Sequence, residues 1–429
     1  MKVLDKFAKD DTGIAFLTVI MMTVILFMLS TSLLVLQQYY VSMVSLRSNR
    51  VDATHVADAG LNDYLYHIKG NSTYYTTVRD TGWVEFDGAR YRVIAVAPIN
   101  GKPLTLYSTG SADNTVTIVA TVRYPTFADY MFLADSGITF GTEAIVDGQV
   151  RSNGDVENKG HIKGKTYAVG TITGAGKFDQ GKYPKYAPAD FSQITVKIDD
   201  IVTAAKSHSP SSYFPQISAS SGHNQPSYSG YLVTFNGFFY TVRKVNSGSE
   251  SGDFSENRNT TLVGTYTIPT DGAVYFEDTV WIQGNYGANV TVASSKDIYF
   301  YGSYKRTSPT AKYTSGVISK TNIIVPSWYN SVPQDMTIEA AVLARDGKFY
   351  ADMNTGVFRN KLTVHGAAAY KDATGGFVSV YSNGVDAAGF HNRVYTYDQA
   401  LDMNPPPFYP PTGEGSMKVA TWVDSGGTQ

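Results

Sequence analysis

Histidines and carboxylates are the side chains of this chain that could support catalysis or bind a metal ion. None of the seven histidines forms an H-E-x-x-H motif or a close pair. The 429 residues include no cysteine, which excludes disulfides, thiolate metal sites and cysteine nucleophiles. We therefore expect no metal ion and no cofactor.

Paired carboxylates could act as general acid and base on a polysaccharide. Three pairs are candidates: Asp147 with Asp155, Glu277 with Asp278, and Glu339 with Asp346. Neighbouring residues on a strand point to opposite faces, which argues against Glu277 acting with Asp278. None of the pairs has the clustered aspartates and basic partners that lyase chemistry needs. We expect no enzyme, and a surface polysaccharide-acting enzyme is the alternative.

The strongest structural signal lies in the N-terminal 70 residues. The run from Ile14 to Leu36 contains no charged residue. As a helix it would extend about 35 Å, enough to cross a ~30 Å hydrocarbon core. Residues 37–69 contain no proline and carry apolar residues at mostly helical intervals. The sequence predicts one helix, with residues 14–36 in the membrane and residues 37–69 above it.

This N-terminus resembles that of type IV pilins and pseudopilins. Gly13 and Ile14 match a prepilin processing site, and Thr18 stands where most major pilins carry a glutamate. A minor-pilin signature is matched by Ala57, Asp58, Ala59, Gly60 and Leu61. The resemblance implies that a prepilin peptidase removes residues 1–13 and that the helix assembles with other pilin-like subunits. The absent glutamate favours a minor pilin over a major one.

The charges before the apolar run favour one orientation in the cell membrane. Lys2, Lys6 and Lys9 precede the apolar run, so a single pass with the N-terminus inside and the bulk of the chain outside the cytoplasm is favoured. The protein would then lie at the cell surface or in a pilus. An uncleaved anchor for a static envelope scaffold is the alternative. The net charge of −2 and a pI of about 6.4 favour no nucleic-acid partner.

Residues 70–125 have the pattern of a small antiparallel sheet. Runs rich in β-branched and aromatic residues are Thr73–Val78, Trp83–Phe86, Arg90–Ala97, Leu104–Ser108 and Thr115–Tyr124. Asp87-Gly88 between two of them predicts a hairpin. A membrane-anchored α+β arrangement results, with a long helix followed by a sheet as in pilins.

The rest of the chain is predicted to be mainly β. Glycines spaced by six residues, such as Gly148, Gly154 and Gly160, lie between short strand-like segments in residues 131–189. Residues 262–403 also contain short strand-like segments. A right-handed parallel β-helix is favoured, and a β-sandwich or jelly roll is the alternative. Residues 190–261 are predicted to be an insertion containing a helix over 192–206 and a hairpin at Asn236-Gly237.

The mainly-β part is similar to an uncharacterised bacterial envelope domain found downstream of pilin-like helices. The matching segments are residues 147–154, 340–344, 362–366, 395–398 and 404–413. Residues 404–429 are predicted to form a proline-rich cap and a C-terminal tail. The cap residues are Asn404, Pro405, Pro406, Pro407, Pro410 and Pro411. The tyrosine-rich composition makes a surface polysaccharide a further candidate partner.

Substitution of Gly13 tests whether the leader is cleaved. Gly13→Val should leave residues 1–13 attached, because prepilin peptidases need a small residue before the cut. Gly13→Ala keeps a small residue and is the control. Mass spectrometry of the membrane-extracted protein should find Ile14 as the first residue of wild type and of Gly13→Ala. An intact Met1 in wild type would favour the static anchor.

Overall fold

The computed structural model describes most of the chain. The described residues are 11–71, 73–97, 103–142, 144–217, 228–246, 259–352, 357–373, 381–382, 385–386, 388–414 and 417–424. A long N-terminal helix is followed by a mainly-β region, as the sequence predicts.

Four α-helices and one 3₁₀ helix occur in these residues. The α-helices are α1 (Asp11–Gly70), α2 (Tyr74–Thr77), α3 (Gln193–Ser207) and α4 (Ala400–Met403); the 3₁₀ helix is Phe127–Asp129. The predicted strand at 73–78 is wrong, since α2 replaces it. The Asn71 side-chain oxygen accepts hydrogen bonds from the Thr73 amide at 3.0 Å and the Thr73 hydroxyl at 2.8 Å, which turns the chain directly into α2.

An antiparallel sheet packs against the C-terminal part of α1. Its first four strands are β1 (Val84–Phe86), β2 (Ala89–Val96), β3 (Leu104–Ser111) and β4 (Thr115–Arg123). The predicted hairpin between β1 and β2 is confirmed, with Asp87 and Gly88 both at positive φ. Alternate residues of β2, β3 and β4 are buried against the helix.

The chain then forms short strands that pair in parallel. They are β5 (Phe132–Ala134), β6 (Ile138–Phe140), β7 (Ile145–Asp147), β8 (Val150–Ser152), β9 (Val156–Asn158), β10 (His161–Ile162), β11 (Thr166–Ala168), β12 (Ile172–Thr173), β13 (Lys177–Phe178) and β14 (Lys182–Pro184). Val150 pairs with Thr166, and Thr166 pairs with Lys182, so the repeat is 16 residues. The six-residue glycine spacing marks the corners within one repeat. A Cβ on Gly164 would overlap the carbonyl oxygen of Gly148.

The second group of strands follows α3. They are β15 (Tyr213–Phe214), β16 (Tyr228–Gly237), β17 (Phe239–Asn246), β18 (Thr260–Thr267), β19 (Ala273–Phe276), β20 (Val280–Tyr286), β21 (Val290–Ser294), β22 (Ile298–Arg306), β23 (Ser315–Ser319), β24 (Ile323–Pro326), β25 (Asp335–Ile338), β26 (Ala341–Ala344), β27 (Phe349–Asp352), β28 (Phe358–Tyr370), β29 (Tyr381–Ser382), β30 (Val385–Asp386) and β31 (Gly389–Tyr397). The predicted hairpin at Asn236-Gly237 joins β16 and β17. Because β16 also pairs in parallel with β20, this hairpin belongs to the β region rather than lying outside it.

The two groups form one parallel stack. Strand β28 pairs with β26 on one side and with β5 on the other, so the second group ends against the beginning of the first. Along one face the order is β15, β19, β21, β23, β26, β28, β5, β8, β11 and β14. One end of the stack is therefore β14, and the antiparallel strands β16, β17 and β18 cover the other.

The C-terminal strand returns to the first sheet. Strand β32 (Lys418–Asp424) pairs antiparallel with β4, as a fifth strand. The parallel stack is thus inserted between β4 and β32. Its entry and exit segments lie together, since the Thr412 amide donates to the Pro125 carbonyl at 2.9 Å and the Phe127 amide donates to the Pro410 carbonyl at 3.0 Å.

The proline-rich segment lies along the side of the stack. The Thr291 hydroxyl donates to the Pro407 carbonyl, and a Cβ on Gly316 would lie 3.1 Å from Pro406 Cβ. The prediction that Asn404, Pro405, Pro406, Pro407, Pro410 and Pro411 cap an end of the stack is wrong. The reason is topological, because β28 and β31 are covered by β5 and β7 and expose no final layer.

The β14 end has a different covering. Lys182 occupies the inward position that Val150 and Thr166 occupy in the preceding repeats. Its ammonium lies 4.3 Å from the centroid of the Phe178 ring, a cation–π contact over the last apolar residue of this end. Lys182 thus covers part of the Phe178 ring at this end of the stack.

Side layers complete the packing. The face that runs from β15 to β14 carries small buried residues on its outer side. They include Ala273, Ala293, Ala341, Ala367 and Ala369. Helix α3 buries Ile194, Ile198, Ile201 and Ala205 against that side. Small residues there leave room for α3 over β19 and for the 3₁₀ helix over β26 and β28.

Fragments test whether the stack folds independently. A fragment of residues 124–414 should be a β-rich monomer with cooperative melting, because the described strands of the stack pair only with one another. Residues 124–403 should aggregate, because losing the proline-rich segment uncovers the side layer. Size-exclusion chromatography and circular dichroism measure both. Equal solubility and equal melting midpoints for the two fragments would show that the proline-rich segment does not stabilise the stack.

Candidate functional site

The first half of α1 is an uncovered apolar helix. Side chains from Phe16 to Val44 are exposed, and this helix is long and apolar enough to cross a membrane. The predicted processing residues Gly13 and Ile14 lie in its first turns, and Thr18 lies exposed on the apolar part. An exposed surface of this composition requires lipid or other apolar helices around it.

The second half of α1 packs closely on the antiparallel sheet. A Cβ on Gly60 would lie 2.6 Å from Tyr91 Cδ2, and a Cβ on Gly110 would overlap the carbonyl oxygen of Ala53. The Ser108 hydroxyl donates to the carbonyl of Ala57 at 2.6 Å. Gly110 is needed because the backbones of α1 and β3 approach too closely for a side chain, and Gly60 leaves room for the Tyr91 ring.

This interface explains the composition of the segment that matches the minor-pilin signature. Ala57, Gly60 and Leu61 are buried against the sheet. Asp58 and Ala59 are half-buried beside them, and the Asp58 carboxylate accepts a hydrogen bond from the Asn62 amide at 3.2 Å. The residues of the signature therefore have packing roles in this chain.

Polar groups fix residues 78–80, one to α1 and one to β2. The Tyr64 hydroxyl donates to the Val78 carbonyl, and burial raises the pKa of Tyr64 to about 12. Arg92 hydrogen-bonds Asp80 and lowers the pKa of that carboxyl to about 2. Both residues thus keep the protonation states that these contacts need near neutral pH.

Charged side chains, two of them buried, join the sheet to the stack. Arg123 of β4 donates to Asp129 of the 3₁₀ helix at 3.0 Å, and both side chains are less than a tenth exposed. Lys418 of β32 lies 3.2 Å from Asp129 and 3.2 Å from Asp402. We call these four residues the junction network. Arg151 of β8 also pairs with Glu414, in the segment before β32.

The candidate carboxylates have structural partners. Asp278 is fully buried and lies 2.7 Å from the Lys296 ammonium. The other partners are Tyr213 for Glu277, Lys163 for Asp147, Thr171 for Asp155, Arg306 for Glu339 and Lys371 for Asp346. Hydrogen bonds from Thr171 hold the pKa of Asp155 below its usual value. These pairs bridge neighbouring strands or turns, which is a stabilising role.

Histidines pair singly with aspartates. His161 contacts Asp179 at 2.9 Å, and His208 contacts Asp271 at 3.0 Å. Within the described residues no group of three or more histidine, aspartate or glutamate side chains could hold a metal ion.

The sequence analysis missed the junction network and β32. The junction residues are far apart in the chain and carry no motif. The alternation in Lys418-Val419-Ala420-Thr421-Trp422-Val423-Asp424 is a strand pattern that could have identified β32.

Comparison with known proteins finds little that resembles the whole chain. No family model and no curated protein matches it. Among solved structures, the chain is similar to the competence-associated pilin ComZ from Thermus thermophilus. The identity is 10%, the TM-score is 0.31, and the match covers 88% of this chain and 97% of that chain. At that TM-score the likeness does not establish a shared fold.

The helix–sheet interface can be tested at two glycines. Gly110→Ala should lower the free energy of unfolding by about 1–3 kcal/mol, because the methyl group would push α1 off the sheet. Gly70→Ala is the matched control, since a Cβ there meets no atom within 4 Å. Urea unfolding of detergent-solubilised protein measures both variants. Equal midpoints for the two would contradict the close approach of α1 and β3.

Proposed function

We propose that this chain is a minor-pilin-like or pseudopilin-like subunit of the cell envelope. One observation carries the proposal. Helix α1 is continuous, with an exposed apolar N-terminal part and a C-terminal part that packs on an antiparallel sheet through Ala57 and Gly60. Such a helix can be anchored in lipid while it holds a folded body above the surface.

The proposed topology and partners rest on that helix and on the lysines that precede it. The chain crosses the cell membrane once, with its N-terminus inside and its body outside the cytoplasm. A prepilin peptidase cleaves after Gly13, and other pilin-like subunits contact the exposed apolar part of α1. The subunit serves a filament or secretion system related to type IV pili.

The parallel stack is the displayed domain, and we infer that it is a β-helix. Its support is the uninterrupted parallel pairing from β15 to β14 along one face, since sandwiches and jelly rolls are built from antiparallel sheets. Its role is structural or adhesive and not catalytic. The engagement of each candidate carboxylate with a neighbouring strand or turn favours that role.

Thr18 gives a direct test of assembly. Pilin glutamates at this place are thought to pair with the N-terminal amine of a neighbouring subunit, and a threonine cannot supply that charge. Wild type expressed as the sole pilin should form no filaments, but it should enter filaments of a glutamate-bearing pilin. Thr18→Glu should assemble more readily than the control Thr23→Glu, which displaces the carboxylate along the helix.

Electron microscopy and immunoblotting of sheared surface fractions measure assembly. Filaments made from wild type alone would contradict the role of Thr18. Absence from every filament, together with an unprocessed N-terminus, would favour the static scaffold.

A further inference from the structure

The turn between β16 and β17 exposes two phenylalanines. Phe238 is 55% exposed and Phe239 is 51% exposed. A Cβ on Gly237 would meet no atom within 4 Å, and the Gly237 carbonyl accepts a hydrogen bond from the Gly287 amide at 2.8 Å on the other side of the turn. Hairpin turns usually carry small and polar residues. Two large apolar side chains at this place need an explanation outside the folding of the hairpin.

A neighbouring loop adds an aromatic ring and two cations. The rings of Phe238 and Tyr313 lie 6.3 Å apart, and Tyr313 is 36% exposed. Lys312 precedes Tyr313, and Lys305 lies across from the turn, because Asn285 pairs with both Asn236 and Lys305. Both lysines are exposed, and neither forms an ion pair within the described residues. We call Phe238, Phe239, Tyr313, Lys305 and Lys312 the tip patch.

The size of the tip patch argues against a stand-alone protein interface. Its three aromatic side chains expose about 300 Å² together, taking about 200 Å² for each complete side chain. A specific protein partner usually covers about 800 Å² on each side. The ring planes of Phe238 and Tyr313 are inclined by 77°, so they form no flat platform on which a sugar ring could stack.

The chemistry of the tip patch fits the surface of a bilayer. Phenylalanine and tyrosine side chains enter the boundary between headgroups and acyl chains, where a small buried area is sufficient for reversible attachment. Lysines beside them attract anionic headgroups. The pairing of Phe239 with Thr267 holds this side chain at the tip, so little ordering is needed on contact.

The membrane that holds α1 is an unsuitable partner. Residues 45–52 of α1 lie between its exposed apolar part, which ends at Val44, and Ala53, where contacts with the sheet begin. That length of helix is about 12 Å at ~1.5 Å per residue, and it separates the antiparallel sheet from the bilayer that holds α1. We propose that the tip patch attaches to a second, apposed bilayer rich in anionic lipid.

Vesicle binding tests this attachment. Full-length protein is reconstituted through α1 into nanodiscs of zwitterionic lipid and floated with vesicles that contain about a third of anionic lipid. Wild type should float with these vesicles, and binding should be at least about tenfold weaker to zwitterionic vesicles. Phe238→Ser/Phe239→Ser and, separately, Lys305→Glu/Lys312→Glu should each reduce binding by at least about tenfold. Circular dichroism melting checks that the variants fold.

A control variant tests whether binding depends on the tip patch or on any exposed apolar side chain. Leu262→Ser alters a side chain that is 56% exposed on β18, away from the turn, and it should leave vesicle binding unchanged. Loss of binding with Leu262→Ser, or its retention in Phe238→Ser/Phe239→Ser, would overturn the proposal. So would failure of wild type to bind either kind of vesicle, an outcome that would favour a protein partner.

Fluorescence quenching identifies the membrane that is contacted. Phe239→Trp places an indole in the patch, and brominated lipid is put either in the vesicles or in the nanodisc that holds α1. Quenching beyond that of wild type should occur only with brominated vesicles. Quenching only with the brominated nanodisc would overturn the assignment to an apposed bilayer.

Discussion

The contact between β28 and β5 is the constraint on which the rest of the structure depends. Residues 368–370 pair in parallel with residues 132–134, and this contact joins two groups of strands that are distant in sequence. Without it, each group would expose an edge of unpaired backbone groups and an apolar interior. With this contact, only the two ends of the joined stack have unpaired strand edges to cover. Lys182 covers Phe178 at one of them, and antiparallel strands cover the other.

The same contact accounts for the insertion of the stack between β4 and β32. Because the second group returns to the first strand of the stack, the chain leaves near the place where it entered. The junction network forms there, and burying its charges is unfavourable unless each is paired and hydrogen-bonded. Asp129 meets this condition, since it contacts Arg123 and Lys418 and also accepts a hydrogen bond from the Thr126 amide at 2.9 Å. The network ties the stack to both flanking strands.

Local features of the fold could be predicted, and long-range order could not. The absence of proline predicted α1, and Asp87-Gly88 predicted its hairpin, because each depends on neighbouring residues. The six-residue spacing of the glycines was recognised, but the 16-residue repeat of the strands was not. No local pattern predicts which strands are neighbours in the stack. The sequence therefore did not show that β5 and β7 cover β28 and β31, and the proline-rich segment was placed at an end instead of along the side. The residues matching the minor-pilin signature were found, whereas their packing against Gly110 required the sheet.

Helix α1 connects these properties to the proposed function at a membrane. Its two halves need different surroundings, apolar for Phe16 to Val44 and the protein's own sheet from Ala53 onward. At Gly110 the backbones of β3 and α1 are in direct contact, and at Gly60 the Tyr91 ring packs against the helix. The sheet is in turn fixed to the stack through β4, β32 and the junction network. The direction of α1 therefore sets the direction of the stack, so a subunit held by its helix presents the same face of the stack to whatever lies opposite.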